Sequence, residues 1–394
     1  MHDLTLPRRH RLAPPWRTAL TTLVAATLAG CGGSGQPDGG RNGYVAQCHF
    51  TDTYVATAVL LPEPTGSHCV SRLDLHLVDP QRRMDHRETD PARHRELMLT
   101  IYYPSAAGST GPRSSYLNPT LWGMLLDETQ LHDYATGPVV PMSGRDRPMA
   151  HGQRYPVVLF SHGWGLPSLL YASLAEEIAS HGAIVVAIEH SRVASVVMLP
   201  DGRIIDQLGG DDEDDEDALT DDDYAQLSQI MTDDQRFVLN WLQTHGTGLE
   251  RIGGAFDFNR VGSVGHSLGG SAALQASRTD HRIRAGINID GRVFGELFGP
   301  WTKPMLIMTS IDDTLHESQE EVLRRSVGPT TVATLAGADH NDFSDMRYVF
   351  ERYRPPHLEE IYDGWNLRGS DPAEVVLRDA RARILGFLRQ HVMR

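Results

Sequence analysis

Residues 260–274 carry the tightest constraint in the chain. Val261, Gly262, Ser263 and Val264 make the short apolar run of a buried strand, Gly265-His266-Ser267-Leu268-Gly269 follows at once, and an Ala/Leu-rich helical segment begins behind it. A strand that feeds a helix through so short a link forces the central serine into a strained turn, and side chains at positions 265 and 269 would collide with neighbouring backbone. The turn lifts the Ser267 hydroxyl clear of the sheet edge, where a base can reach it. Small residues gather in any tight turn, so the pentapeptide alone says little. The strand before it and the helix after it are what point to a nucleophile.

The rest of the chain supplies the sheet that such a turn needs. Residues 157–160 and 183–188 are continuous apolar runs, as in strands buried on both faces. Further strands are expected over 97–103, 283–289, 305–309 and 331–335, with helices over 168–181, 232–244, 317–327 and 372–392. This alternation predicts an α/β fold, a mostly parallel central sheet with helices on both faces. With 394 residues, 40% of them hydrophobic, the chain can fill a full core. Nearer the N-terminus, 54–61 and 70–78 are β-prone and Asp79-Pro80 breaks the pattern. Residues 81–95, charged and rich in His without the paired spacing of a zinc site, read as a solvated loop. Residues 105–153, rich in Pro, Gly and Ser, read as a long excursion with a helix over 121–131.

An insertion over 191–231 interrupts the alternation. It holds an apolar stretch at 193–199, then the run Asp211-Asp212-Glu213-Asp214-Asp215-Glu216-Asp217 and the triplet Asp221-Asp222-Asp223. Carboxylates this dense repel one another, and the run lacks the alternating ligands and turn glycine of a calcium loop, so a solvated loop is expected. Its place after a strand sets it over the ligand crevice of such a sheet. The chain carries 51 acidic against 36 basic residues, which sets a nucleic-acid partner aside.

A serine hydroxyl is scarcely ionised at neutral pH, so a base must take its proton, a third group must hold the base, and donors must meet the oxyanion. Phe160-Ser161-His162-Gly163-Trp164-Gly165 directly follows an expected strand. A His-Gly turn here lets a backbone N–H face the nucleophile, so the amides of Trp164 and Leu268 are the candidate oxyanion hole. The base is expected in the loop after the last strand, where His340 is the one histidine of residues 336–343. The acid is either Asp290, at the end of the 283–289 strand, or one of Asp312 and Asp313 after the next. No metal or organic cofactor is expected.

The order serine, acid, histidine resembles that of the α/β-hydrolase fold. More specifically, the chain resembles the platelet-activating-factor acetylhydrolase-like lipases and esterases. The similar stretches are Leu159-Phe160-Ser161-His162-Gly163-Trp164-Gly165, Ala179-Ser180-His181-Gly182-Ala183-Ile184-Val185-Val186-Ala187-Ile188-Glu189-His190, Gly265-His266-Ser267-Leu268-Gly269-Gly270, Ile289-Asp290-Gly291 and His340-Asn341-Asp342-Phe343. The resemblance implies a carboxylic ester hydrolase acting on acyl-ester or lipid substrates through an acyl-enzyme, with Ser267, Asp290 and His340 as the triad. An Asp-Asp pair in a Thr/Ser turn suits a helix N-cap better than a triad acid. The acidic segment 209–223 departs from the family pattern. Polyester- and cutin-cleaving hydrolases share a similar core, and a surface lipoprotein that keeps the fold to bind a partner is the non-catalytic alternative.

The N-terminus reads as an export signal. Arg8, Arg9, Arg11 and Arg17 precede an apolar run over 19–29, too short to span a membrane comfortably, and Leu28-Ala29-Gly30-Cys31 resembles a bacterial lipobox. Residues 1–31 are thus expected to be a lipoprotein signal peptide with Cys31 the lipidation site, 32–43 a flexible tether, and 44–394 the α/β-hydrolase domain. This places the chain outside the cytoplasm, lipid-anchored to a membrane of the bacterial cell envelope. An oxidising compartment favours pairing of the two remaining cysteines, Cys48 and Cys69, in a disulfide that contributes roughly 3 kcal/mol by the chain-entropy argument.

Overall fold

The computed structural model describes residues 44–209, 219–310 and 315–394. The signal segment, the tether, Cys31, the acidic run 211–217 and the Asp312-Asp313 pair lie outside the described residues.

Nine strands make one sheet: β1 (Val70–Arg83), β2 (His94–Pro104), β3 (Gly144–Arg145), β4 (Tyr155–Ser161), β5 (Ile184–His190), β6 (Phe256–His266), β7 (Ile283–Ile289), β8 (Met305–Thr309) and β9 (Thr330–Thr334). Their order is β9-β8-β7-β6-β4-β5-β2-β1-β3. Only β2 is reversed: it pairs antiparallel with β1 and β5, and the other six pairings are parallel. Besides a single turn at Tyr44–Gln47, the α-helices among the described residues are α1 (Pro119–Glu128), α2 (Ala172–Ser180), α3 (Asp221–His245), α4 (Leu268–Thr279), α5 (Glu317–Arg324), α6 (Met346–Tyr353), α7 (Leu358–Trp365) and α8 (Ala373–His391). This is the α/β-hydrolase fold that the sequence predicts.

The apolar runs are continuous because both faces of the central strands are covered. Along β4, Val158 and Phe160 face one core and Val157 and Leu159 the other, by the two-residue period of a strand. The first core takes Leu174 and Ile178 of α2 with Ile384 and Leu388 of α8; the second takes Val238, Leu239 and Leu242 of α3. All of these side chains are buried.

Several expected boundaries move, each for a local reason. β1 runs on through Asp79-Pro80 to Arg83, because its register with β2 shifts between Asp79 and Arg83 and the proline falls in that irregularity, where no ladder donor is required. The solvated-loop reading of 81–95 is corrected in part: Met84 and Asp85 are buried, and Asp85 takes the Arg192 guanidinium at 2.9 Å. Helix α3 begins eleven residues before the expected position 232, and the Asp221-Asp222-Asp223 triplet is its first turn rather than loop. Thr220 and Asp223 form a capping box, and carboxylates suit the positive end of a helix dipole. Of the 54–61 strand only Val59–Leu60 forms. A small hairpin (Val196–Met198 with Ile204–Asp206) follows β5. Cys48 and Cys69 are joined in a disulfide that ties the first described segment to the start of β1.

Candidate active site

The chain runs from β4 outward to β5, then returns across the sheet to β6 on the other side of β4. The crevice beyond the C-terminal ends of β4 and β6 is therefore the topological switch point, where ligands bind in open α/β sheets. The His162-Gly163-Trp164 turn leaves β4 at this edge and Ser267 leaves β6.

Ser267 stands between the last residue of β6 and the first of α4, with φ 53° and ψ −123°. That left-handed backbone is strained for a residue with a side chain. It is held from both sides: Ser267 N–H donates to the Ile289 carbonyl at 2.8 Å, and the N–H groups of Gly270 and Ser271 donate to the Ser267 carbonyl. The flanking glycines are required sterically. A Cβ on Gly265 would strike the Gly269 carbonyl, and one on Gly269 would strike the Ser161 carbonyl. A Cβ on Gly163 would lie 3.2 Å from that of Ser267, so the His162-Gly163-Trp164 turn rests directly against Ser267. Leu268 opens α4, where the first N–H groups of a helix have no intrahelical acceptor.

The three predicted triad side chains come together. His340 Nε2 lies 3.0 Å from Ser267 Oγ, and His340 Nδ1 lies 2.7 Å from Asp290 Oδ2. Asp290 follows β7, the neighbour of β6. Its other oxygen, Oδ1, accepts the Ser310 N–H at 2.7 Å, so both oxygens are committed. Burial works against charge on both members of the pair. The mutual hydrogen bond and attraction win, lowering the Asp290 carboxyl and raising the His340 imidazole relative to their ordinary values. His340 keeps a third of its side chain open, a path for substrate and proton.

Two further residues hold His340 in place. His266 is fully buried with its ring 4.7 Å from that of His340. Its Nε2 lies 2.8 Å from the backbone carbonyl of His340 and its Nδ1 2.7 Å from the Tyr171 hydroxyl. A carbonyl only accepts, so Nε2 carries the proton and Nδ1 accepts from Tyr171. Burial, then the adjacent His340, pushes His266 down to about 3 and keeps it neutral. The signal in the sequence was the histidine next to the nucleophile; its partner Tyr171, 95 positions away, left none.

A second Ser-His-Asp set lies deeper. His190 bridges Ser161 Oγ at 2.9 Å and Asp234 at 2.8 Å. All three side chains are fully buried, Asp234 is clasped by Arg95, and Gln235 donates to the same Ser161 oxygen. With no opening to substrate it is a structural knot between β4, β5 and α3. Along the rim of the exposed site, Trp164 meets Tyr224 edge-on at 5.8 Å, Tyr224 stacks on Phe294 at 5.9 Å, and the Arg292 guanidinium lies 5.0 Å over the Phe294 ring.

Comparison with known proteins agrees with this architecture. Residues 60–201 and 227–393 match the family described as platelet-activating factor acetylhydrolase, isoform II. The dog platelet-activating factor acetylhydrolase is 24% identical over 84% of this chain and 77% of its own length. A probable 1-alkyl-2-acetylglycerophosphocholine esterase of the fungus Arthroderma benhamiae is 29% identical over 61% of each chain, so that match spans about three fifths of the relative. Among solved structures, a ferulic acid esterase from Streptomyces cinnamoneus superposes with a TM-score of 0.72 at 27% identity, covering 85% of this chain and 93% of its own. The family match breaks only across 202–226, which contains the acidic segment, and it takes in both the Ser267 turn and the His340 loop. This chain belongs to the platelet-activating factor acetylhydrolase, isoform II, family.

Proposed function

We propose that the protein is a serine hydrolase that cleaves carboxylic esters through an acyl-enzyme. The continuous path Ser267 Oγ to His340 Nε2, and His340 Nδ1 to Asp290 Oδ2, carries this reading. Ser267 Oγ attacks the ester carbonyl while His340 takes its proton, and Asp290 stabilises the imidazolium. The Trp164 and Leu268 N–H groups stabilise the oxyanion. His340 then gives the proton to the departing alcohol. Water, activated by the same imidazole, releases the acid and restores Ser267. A pre-steady-state burst of alcohol ahead of steady turnover, titrating to one equivalent per enzyme, tests this. Turnover that persists in Ser267→Ala would refute it.

For the acyl group, the names of the relatives suggest short acyl chains on a glycerophospholipid, and that of the structural neighbour suggests a hydroxycinnamoyl ester. The rim favours the second. Trp164, Tyr224 and Phe294 form an aromatic cluster beside the Gly163–Trp164 turn, a surface suited to a planar group, and the Arg292 cation over Phe294 is already paired with Asp221 at 3.2 Å. Parallel kcat/KM values for a feruloyl ester and an acetylated ether phosphocholine separate the two, the feruloyl ester being the expected preference. A polyester substrate would register as film hydrolysis in the same series.

We further propose that residues 1–31 are a lipoprotein signal peptide, that Cys31 carries the lipid, and that residues 44–394 form the hydrolase domain held at a membrane of the bacterial cell envelope. The lipobox-like Leu28-Ala29-Gly30-Cys31 and the disulfide between Cys48 and Cys69 support export.

A further inference from the structure

His162 lies directly behind the oxyanion turn and takes no part in the triad. Its side chain is wholly buried. Nδ1 is 2.8 Å from the Gly163 carbonyl oxygen, and Nε2 is 3.0 Å from the backbone nitrogen of His190. These two contacts fix the tautomer. A peptide N–H only donates, so Nε2 must accept. A carbonyl only accepts, so Nδ1 must carry the proton. Glu189 Oε1 stands 3.5 Å from Nε2, but no proton is there to share. Burial, with the neighbouring His190 adding to it, pushes the ring down to about 3 and holds it neutral.

The donor that dictates this tautomer is itself immobilised. The His190 side chain is locked between Ser161 and Asp234, and Asp234 accepts two hydrogen bonds from the buried Arg95 guanidinium at 3.0 and 2.6 Å. The end of β5 is thus pinned from inside, and with it the point that orients His162. The consequence falls on one peptide. In a trans peptide the C=O and the following N–H point in opposite directions. Fixing the Gly163 carbonyl toward His162, with the Leu166 N–H on the same oxygen at 3.3 Å, therefore turns the Trp164 N–H away from His162. Gly163 itself abuts Ser267.

We infer that His162 is a positioning residue for catalysis: its Nδ1–H aims the Gly163–Trp164 peptide at the oxyanion, and the His190 backbone imposes the tautomer that lets it do so. The inference rests on the proposed oxyanion role of Trp164. It separates His162 from a core histidine that merely satisfies the His190 N–H. Its effect belongs in kcat, because the oxyanion exists only in the transition state.

The test is a pair of variants that split the two bonds. His162→Asn places an amide N–H near the position of Nδ1 and gives up the acceptor at Nε2. His162→Gln places a carbonyl oxygen near Nε2 and gives up the donor to Gly163. Steady-state kinetics on an aryl ester should show His162→Gln losing about 10²–10³ in kcat with KM little changed, the loss typical of one oxyanion donor. His162→Asn should retain at least about tenfold more of kcat. A purely structural role predicts the reverse order, and His162→Gln equal to or better than His162→Asn overturns the inference. Ser267→Ala, run alongside, keeps the two ideas apart: residual turnover there refutes the serine mechanism, whereas a reversed order of the His162 variants refutes only the positioning role. The wild-type protein gives a second reading that needs no variant to fold. Its ¹⁵N-histidine spectra should contain a ring, that of His162, protonated on Nδ1 alone and unchanged from about pH 5 to 9; the absence of any such ring overturns the arrangement.

Discussion

His266 donates its Nε2–H to the backbone carbonyl of His340 at 2.8 Å. The residue next to Ser267 therefore holds the backbone of His340, the proposed base. Tyr171 completes the relay from the turn ahead of α2. Tyr171→Phe leaves the buried Nδ1 of His266 without a donor, which should cost about 1–3 kcal/mol of stability. It should also lower kcat by between about 10- and 100-fold, because small displacements of a catalytic group are costly. Chemical denaturation and ester kinetics on the same preparation check both.

The raised His340 pKa sets the acid limb of the pH profile. The base works only when unprotonated, so kcat/KM should fall as pH drops through a value above the ordinary 6.5 of histidine. Burial alone would lower that value; Asp290 raises it. Asp290→Asn should therefore shift the limb to lower pH and, by leaving the imidazole in the wrong tautomer, reduce kcat on the order of 10⁴-fold, the figure for the analogous serine protease change. A limb that stays in place in the variant would show that another group titrates.

Removing the bond between Cys48 and Cys69 by the double Ser substitution should cost roughly 3 kcal/mol, since the bond closes a loop with a sequence separation of 21. Urea unfolding with and without reductant measures it. Wild type under reductant should match the variant, and turnover per folded molecule should not change.

Cys31→Ser should release the expressed protein from membranes into the soluble fraction, because the flanking segment is too short and acyl chains are the proposed anchor. Fractionation with mass spectrometry of the mature N-terminus checks this. Retention of the variant in the membrane fraction would contradict the lipoprotein proposal.

Much of this was legible in the sequence because the central strands are buried on both faces and so announce themselves as unbroken apolar runs. The strands 283–289 and 305–309 fall where expected, and Ser267, Asp290 and His340 meet. What escaped was set by contacts between distant residues or by terminal chemistry. The first turn of α3 is acidic and reads as loop, whereas the Thr220–Asp223 capping box starts a helix there and Leu227 packs it against the Leu268 end of α4. Pro80 survives within β1 because a register shift accommodates it. Helices α6 and α7 are eight residues each, too short for periodicity to stand out between their charged residues. His162 and His266 look alike in sequence, one histidine beside one glycine. Their tautomers, opposite in sense, come from a His190 N–H and a His340 carbonyl that only the fold brings near.

Ser267 is the proposed nucleophile of this ester hydrolase. Covalent labelling tests it most directly. A fluorophosphonate probe, followed by proteolysis and peptide mass spectrometry, should place a single adduct on Ser267, abolish ester turnover in proportion to labelling, and fail to label Ser267→Ala. An unlabelled wild-type protein, an adduct on another residue, or a Ser267→Ala variant that still turns over esters would contradict the account.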